Sequence, residues 1–307
     1  MNPIVGIGEL LWDVYPDGRK VAGGAPFNFA FHCHQLGHPA VIVSRVGTDD
    51  LGRELREEVR RLGLSDEYIQ TDREHPTGTV RVTLDENKVP SYTITENVAW
   101  DYIENLSQLS FLSEFSSGIC FGTLGQRFRD SAKTIKSYVA SANRNCFRVF
   151  DLNFRQPPID ANMLYTGLQR ATWSKMNELE LADVLKCWGM THGSGIFPLR
   201  QIYQRLGLAY DKAILLTRGE GGCDVFSTND VGVAEELHEP AVHANVVDTV
   251  GAGDAFTAAM VCLHLEGRPL RECARFANHY AACVCEHQGA TPKIDRADVE
   301  RAAFGGR

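Results

Sequence analysis

Residues 248–254, Asp-Thr-Val-Gly-Ala-Gly-Asp, place two carboxylates and two glycines immediately before an apolar run. Gly251, Ala252 and Gly253 have little or no side chain, so their backbone amides can turn together toward an anion and approach it closely. The run that follows is rich in strong helix formers and nearly free of charge, which predicts a buried helix ending before Gly267. The N–H groups of its first turn would add to the attraction for phosphate oxygens. This stretch is therefore predicted to cradle a phosphate.

Asp254 lies where this helix should begin, and its position has two interpretations. An Asp before an apolar run is often a simple helix cap. A cap alone would require neither the two glycines nor the second carboxylate, Asp248, all of which fall within the same seven residues. We therefore predict that Asp254 has a catalytic role.

Residues 248–254 resemble the C-terminal signature of the ribokinase-like (PfkB) carbohydrate kinases. A second match lies near the start of the chain, where Gly-Gly-Ala-Pro-x-Asn at residues 23–28, followed by Leu36-Gly37 and residues 46–52, resembles the N-terminal signature of the same family. Two signatures in the right order and far apart are more specific than either alone. The resemblance implies an α/β class protein with the three-layer ribokinase-like fold, in which helices cover both faces of a mostly parallel sheet and a small β-sheet forms a lid.

The order of apolar patterns along the chain agrees with that fold. Short apolar strands alternate with amphipathic helices, which predicts a mostly parallel sheet with ligands at the C-terminal ends of its strands. The predicted elements include helices at residues 127–142 and 197–206 and strands at residues 148–153 and 213–217. Residues 76–94 depart from this alternation, because apolar and polar residues alternate there on both sides of a turn at Asp85–Lys88, as in a hairpin with one wet face. We predict a single domain, residues 1–307, with the lid drawn from about residues 11–22 and 76–100.

The resemblance also implies roles for individual residues. Asp254 is the base for the substrate hydroxyl, and the amides of Gly251, Ala252 and Gly253 form an anion hole. The residues expected to bind sugar hydroxyls are Asp13, Gly23, Gly24 and Asn28. The residues expected on the nucleotide side are Arg155, Asn177, Thr217, Gly219, Gly222 and Asn278. Glu180 is expected to hold Mg²⁺ through water, and oxygens of Asp248 and Val250 to contribute to a K⁺ site, as in some relatives.

Composition and charge limit the partners of the chain. The 307 residues are 44% hydrophobic and carry a net charge of −8, with no large basic cluster and no apolar run long enough to span a membrane. Nine cysteines lie mostly in apolar sequence and are expected to be reduced, buried thiols, as at Cys120, Cys146, Cys262 and Cys283. The protein is predicted to be cytoplasmic, to bind neither nucleic acid nor membranes, and to form a homodimer through its lid, since lids in this family often pair between subunits.

The activity that the resemblance implies is ATP-dependent phosphorylation of a sugar hydroxyl. Fructose is the favoured substrate, because Gly8-Glu9-x-x-x-Asp13, Gly-Gly-Ala-Pro-x-Asn and Asn153-x-Arg155 resemble fructokinases more than ribokinases. A 2-keto-3-deoxygluconate kinase or a nucleoside kinase of the same family is the alternative enzyme. A non-catalytic sugar-binding relative is the third alternative, and the intact Asp254 and the segment before it, residues 248–253, which is called the glycine loop below, argue against it.

Overall fold

A computed structural model describes residues 2–84, 90–155, 160–191, 193, 195–207, 212–229 and 233–305. The chain divides into two compact units, Met1–Arg144 and Asn145–Arg307, which are called the N-terminal and C-terminal units below. Each unit contains parallel strands that alternate with helices, as the sequence pattern predicts. The prediction of a single domain stays a prediction.

The N-terminal unit contains a parallel run of strands in the order β8-β1-β4-β5. Its elements are β1 (Ile4–Ile7), β2 (Leu11–Val14), β3 (Lys20–Gly23), α1 (Ala25–Gln35), β4 (Ala40–Gly47), α2 (Asp50–Arg61), β5 (Ile69–Asp72), β6 (Gly78–Leu84), β7 (Pro90–Ile94), α3 (Ser107–Phe115), β8 (Gly118–Gly122) and α4 (Arg129–Ser141). Helix α1 packs closely on β1, because a Cβ atom on Gly6 would lie 2.0 Å from the carbonyl oxygen of Pro26. Gly6 therefore serves helix packing.

A second, four-stranded sheet in the N-terminal unit has the order β3-β2-β6-β7. Strand β6 pairs antiparallel with β7, as predicted for the hairpin, and parallel with β2. Both hairpin strands lie within the predicted segment, residues 76–94. The predicted turn between them, Asp85–Lys88, lies outside the described residues. An apolar cluster closes one face of this sheet, and its members are Leu11, Val80, Ile94, Val98, Trp100 and Leu124.

A buried ion pair anchors this cluster. The Arg127 guanidinium donates to both carboxylate oxygens of Asp101, at 2.7 and 2.8 Å, and to the carbonyl oxygen of Thr95 at 2.6 Å. It also lies over the ring of Trp100, 4.0 Å from the ring centroid. Asp101 is fully buried, so its charge depends on Arg127 for compensation.

Arg127→Ala is expected to lower the free energy of unfolding by about 3 kcal/mol, because it leaves the buried Asp101 carboxylate without its cation. Urea denaturation measures the loss. Arg129→Ala, which removes an exposed arginine two residues away, serves as the control and is expected to change the stability by less than about 0.5 kcal/mol. Equal stability of the two variants would contradict the anchoring role of Arg127.

The C-terminal unit contains strands in the order β13-β12-β11-β10-β9. Strands β9, β10 and β11 pair in parallel, and β12 runs antiparallel to both of its neighbours, β11 and β13. Its elements are β9 (Phe147–Asp151), α5 (Ala161–Arg170), β10 (Trp173–Asn177), α6 (Glu178–Cys187), α7 (Phe197–Leu206), β11 (Ala213–Thr217), β12 (Cys223–Thr228), β13 (Ala234–Glu239), α8 (Ala252–Leu265), α9 (Leu270–Cys285) and α10 (Arg296–Phe304). Helix α8 is the apolar helix predicted after the glycine loop, and its residues 255–263 are buried. Across the main strand runs of the two units, most pairings are parallel, as predicted.

Two further sequence predictions concern the cysteines and the helices. All nine cysteines are free thiols, and Cys120, Cys146 and Cys262 are buried as expected, whereas Cys283 is only half-buried. Among the helices of the described segments, none is long and apolar enough to cross a membrane.

Candidate active site

The glycine loop turns directly into α8, and Asp254 lies in the first turn of that helix. Gly251 is the N-cap, with φ 79°, so the residue before the helix adopts a backbone conformation that favours glycine. Asp254 is therefore the third helical residue and is not itself the cap. It is half-buried, as are Gly251, Ala252 and Gly253. The Ala252 amide also lies 3.3 Å from the carbonyl oxygen of Thr249, in a weak turn contact.

The glycine loop packs against the segment that follows α9. The two carboxylate oxygens of Asp248 accept hydrogen bonds from the amides of Val250, at 3.0 Å, and Gly289, at 2.9 Å. A Cβ atom on Gly251 would lie 2.6 Å from Cα and Cβ of Ala290. Asp248 and Gly251 are thus both held against residues 289–290. Gly251 has no space for a side chain.

Asn177 and Glu180 form a capping box at the start of α6. Asn177 Oδ1 accepts from the Glu180 amide at 2.9 Å, and Glu180 Oε2 accepts from the Asn177 amide at 2.8 Å. The other oxygen of Glu180 accepts from the amide of Phe154 at 3.0 Å, which ties the loop after β9 to α6. Burial raises the pKa of Glu180, and the Asp151 carboxylate acts in the same direction, against the opposing effects of Lys175 and the two amides.

Two charged residues that the sequence analysis did not predict for the site, Lys175 and Asp151, lie next to the glycine loop. Lys175, in the middle of β10, extends its Nζ to the carboxylate of Asp151 on β9, at 3.1 and 3.3 Å. Both residues are buried, with 6% and 3% of their surface exposed. The signal was present in the sequence, because a lysine inside a short apolar strand of a covered sheet must be paired.

The residues predicted on the nucleotide side all lie in the C-terminal unit, but they differ in their surroundings. Gly219 and Gly222 have φ values of 52° and 82°, and a Cβ atom on Gly222 would lie 2.2 Å from the carbonyl oxygen of Glu239. Asn278 donates to the carbonyl oxygens of Glu239 and Pro240, at 3.1 and 2.8 Å, and so braces the start of the segment after β13. Thr217 ends β11, and Arg155 is exposed.

The residues predicted to bind sugar lie in the N-terminal unit. Asp13 is on β2 of the small sheet, and a Cβ atom on Gly23 would lie 2.8 Å from its Oδ2, so Asp13 and Gly23 are in contact. Gly24 caps α1 with φ 119°, and a Cβ atom there would lie 2.3 Å from the carbonyl oxygen of Glu9. Asn28 is buried one turn into α1. Glu9, also buried, accepts from the Ala25 amide at 3.2 Å and fixes the start of α1.

Mg²⁺ and K⁺ place different demands on the carboxylates of the C-terminal unit. Over the described ranges, no group of three or more His, Cys, Asp or Glu side chains could hold a metal ion by itself. Mg²⁺ keeps most of its waters and binds substrate phosphates, so a single fixed carboxylate is enough to hold it through water. Glu180 fits this role, because its carboxylate has lone pairs left after it accepts from two amides. Asp248 has lone pairs left in the same way, which fits a K⁺ contact.

A model of the pfkB family of carbohydrate kinases matches residues 15–297. Among curated proteins, the chain is 29% identical over 308 residues to a Pyrococcus horikoshii protein named as a sugar kinase, covering 95% of this chain and 93% of that protein. It is 29% identical over 269 residues to a Klebsiella pneumoniae fructokinase (83% and 82% covered). It is 25% identical over 318 residues to fructokinase-2 of Oryza sativa subsp. japonica (95% and 91%).

Solved structures share the fold over nearly the whole chain. A ribokinase of Arabidopsis thaliana in complex with ribose and ATP superposes with a TM-score of 0.83 at 23% identity, covering 99% of both chains. A fructokinase of Xylella fastidiosa with bound ATP gives 0.81 at 20% identity (98% of both). An aminoimidazole riboside kinase of Salmonella enterica gives 0.79 at 21% identity, covering 98% of this chain and all of that one.

The α/β architecture, the small second sheet and these structural neighbours define the ribokinase-like fold, which confirms the predicted fold class. The protein belongs to the pfkB family of carbohydrate kinases. It is thus an enzyme that phosphorylates a carbohydrate, as the two signatures predicted.

Proposed function

We propose that this carbohydrate kinase transfers the γ-phosphoryl group of ATP to a hydroxyl group of fructose, with Asp254 as the base. The observation that carries the catalytic part is the place of Asp254 in the first turn of α8, directly after the glycine loop. Several relatives across the length of the chain are named fructokinases, which supports fructose. The ribokinase and aminoimidazole riboside kinase among the structural neighbours keep pentoses and nucleosides as the second candidates.

Asp254 would act late in the reaction. A carboxylate is a far weaker base than an alkoxide, so it cannot ionise a sugar hydroxyl before the new bond forms. The hydroxyl proton becomes acidic only as its oxygen bonds to phosphorus, and the carboxylate then accepts it. Positioning and stabilisation of charge supply most of the rate enhancement in such transfers.

The glycine loop would hold the phosphoryl group that is transferred. The N–H groups at the start of α8 lack partners within the helix, and the helix dipole favours negative charge there. Mg²⁺, when bound, would neutralise part of the charge on the ATP phosphates. Glu180 would hold the ion through water, and Asp248 with Val250 would contribute to a K⁺ site.

The remaining residues would bind the two substrates. On the nucleotide side we propose Arg155, Asn177, Thr217, Gly219, Gly222 and Asn278. For the sugar hydroxyls we propose Asp13, Gly23, Gly24 and Asn28, with the small sheet acting as a lid. The homodimer and the cytoplasmic location stay predictions.

The substrate assignment is tested by release of ADP over a panel of fructose, ribose, 2-keto-3-deoxygluconate and adenosine. We expect the highest kcat/KM with fructose. Asp13→Ala is expected to raise the KM for the sugar by ~10-fold or more and to leave the KM for ATP nearly unchanged, because the substrate hydroxyl loses its partner. Asp17→Ala, at an exposed site after the same strand, is the control and should change neither constant.

Two results would contradict this assignment. Equal efficiency with adenosine and fructose would show that the site does not select the sugar. A defect of Asp13→Ala confined to the KM for ATP would move Asp13 to the nucleotide side.

A further inference from the structure

Lys175 is a buried cation in contact with the glycine loop. It occupies the third position of β10, opposite Asp151 in the parallel register with β9. A Cβ atom on Gly253 would lie 2.9 Å from Lys175 Nζ, so the ammonium group lies directly against the second residue of α8. This contact puts a full positive charge beside the residue that precedes Asp254.

A hydroxyl group completes the connection between the sheet and α8. Thr257 Oγ1, one turn after Gly253, lies 3.0 Å from Asp151 Oδ2 and 2.9 Å from the carbonyl oxygen of Gly253. Thr257 is 2% exposed. Asp151 therefore contacts both Lys175 and Thr257, and this cluster fixes the first turn of α8 to the end of β9 and the middle of β10.

The charges facing Lys175 come from three elements. They are the carboxylates of Asp151 on β9, Glu180 on α6 and Asp254 on α8. Burial acts to lower the pKa of Lys175, but these three carboxylates outweigh it, so the pKa is raised and the side chain stays an ammonium. The interaction between two charges is mutual, so the ammonium that Asp254 stabilises also favours the ionised form of Asp254.

We propose that Lys175 is a positioning residue for the phosphoryl transfer: held by Asp151, its ammonium fixes Gly253 and the first turn of α8 and places a positive charge next to the proposed base. This inference rests on the proposed role of Asp254 as the base. Lys175 contacts the glycine loop at Gly253. It would therefore act on the substrate indirectly, through the positions of Gly253 and Asp254.

The electrostatic part of the role has a definite sign. The base must be ionised, so kcat/KM falls as the pH decreases through the pKa of the base in the free enzyme. Removal of a nearby positive charge disfavours the ionised carboxylate and moves this acid limb to higher pH. Removal of a nearby negative charge moves it to lower pH.

The experiment compares the pH dependence of kcat/KM in the full-length wild type, Lys175→Met and Asp151→Asn. Lys175→Met keeps nearly the length of the lysine side chain but removes its charge. It is expected to lower kcat by ~10-fold or more and to move the acid limb to higher pH. Asp151→Asn is expected to move it the opposite way. Lys186→Met removes an exposed lysine on α6 and is the control, with a profile like that of the wild type.

Lys175→Arg separates charge from shape. The guanidinium keeps the positive charge but is larger, so kcat falls through displacement of Gly253 while the acid limb stays at the wild-type position. A purely structural Lys175 would instead give thermal destabilisation in both Lys175 variants with an unchanged acid limb. If Lys175→Met does not fold, Lys175→Gln takes its place in the pH profile, because it also removes the charge but keeps a polar group beside Asp151, and an unshifted acid limb in that variant overturns the role of Lys175 in the same way.

The outcomes distinguish this inference from the proposed function. Loss of turnover in Asp254→Asn together with an unshifted acid limb in Lys175→Met, or in Asp151→Asn, overturns the role of Lys175 and leaves the base in place. Wild-type turnover in Asp254→Asn overturns both. Shifts of opposite sign in Lys175→Met and Asp151→Asn support the inference.

Discussion

Asp254→Asn is expected to lower kcat by ~10²-fold or more while the fold and the affinity for ATP are retained. The amide is nearly isosteric with the carboxylate, so the first turn of α8 keeps its packing, but it cannot accept the proton of the substrate hydroxyl. Steady-state kinetics with saturating ATP and sugar measure the loss, and ATP titration of the variant checks that binding persists.

The control for this variant is Asp298→Asn. Asp298 also lies in the first turn of a helix, α10, and is exposed, so the substitution removes the same favourable contact with a helix dipole without touching the glycine loop. We expect wild-type kcat for this control. A comparable kcat for Asp254→Asn and the wild type would exclude Asp254 as the base.

Gly251→Ala is expected to reduce kcat by ~10²-fold and to destabilise the protein, because the new Cβ atom has no space beside Ala290 and must displace the loop. A displacement of about 1 Å at the N-terminus of α8 is enough to misplace the amides that would hold the phosphoryl group. Thermal unfolding and kcat are measured on the same preparation.

Gly267→Ala is the matched control for Gly251→Ala. Gly267 follows α8 and has φ 82°, close to the 79° of Gly251, but a Cβ atom there meets nothing within 4 Å. Both variants therefore carry the same backbone strain of about 1 kcal/mol, and only Gly251→Ala adds the steric conflict. Equal kcat values in the two variants would show that the tight packing of the glycine loop is not needed for catalysis.

The strand and helix alternation could be predicted from sequence because apolar periodicity is strong in the core of each unit. Helix α7 and strand β11 have the predicted bounds, and α8 follows the glycine loop as expected. The predicted strand at residues 148–153 is shorter in the structure, since β9 ends at Asp151 and Asn153 has a positive φ of 44°. The predicted helix at residues 127–142 begins at Arg129, after a short 3-10 turn at Leu124–Gln126.

Strand β13 was not predicted, because its sequence is largely charged. Only two of its residues are buried, Leu237 and Glu239. The pattern of Ala234-Glu-Glu-Leu-His-Glu239 is typical of a segment exposed to solvent. Its partner β12 supplies the apolar face and pairs with it across six residues. An edge strand of this kind owes its conformation to its neighbour, and pairing with a neighbour leaves little trace in local periodicity.

The site was predictable only where a short motif concentrates its residues. Residues 248–254 and 23–28 each place several functional groups within six or seven consecutive residues, so both motifs can be recognised in the sequence. The contact of Lys175 with Asp151 depends on the register between two strands, which local patterns do not specify. Asn177-x-x-Glu180 shows a different limit, since the same spacing describes a capping box and a carboxylate near magnesium, and the structure contains the capping box.

The most direct test of the account is to follow ATP and fructose by phosphorus NMR with the wild type and with Asp254→Asn. The account predicts that the wild type forms ADP and a fructose phosphate in equal amounts, and that Asp254→Asn forms both at least ~10²-fold more slowly. Formation of ADP without a sugar phosphate, or an equal rate of sugar phosphate formation by the two proteins, would contradict it.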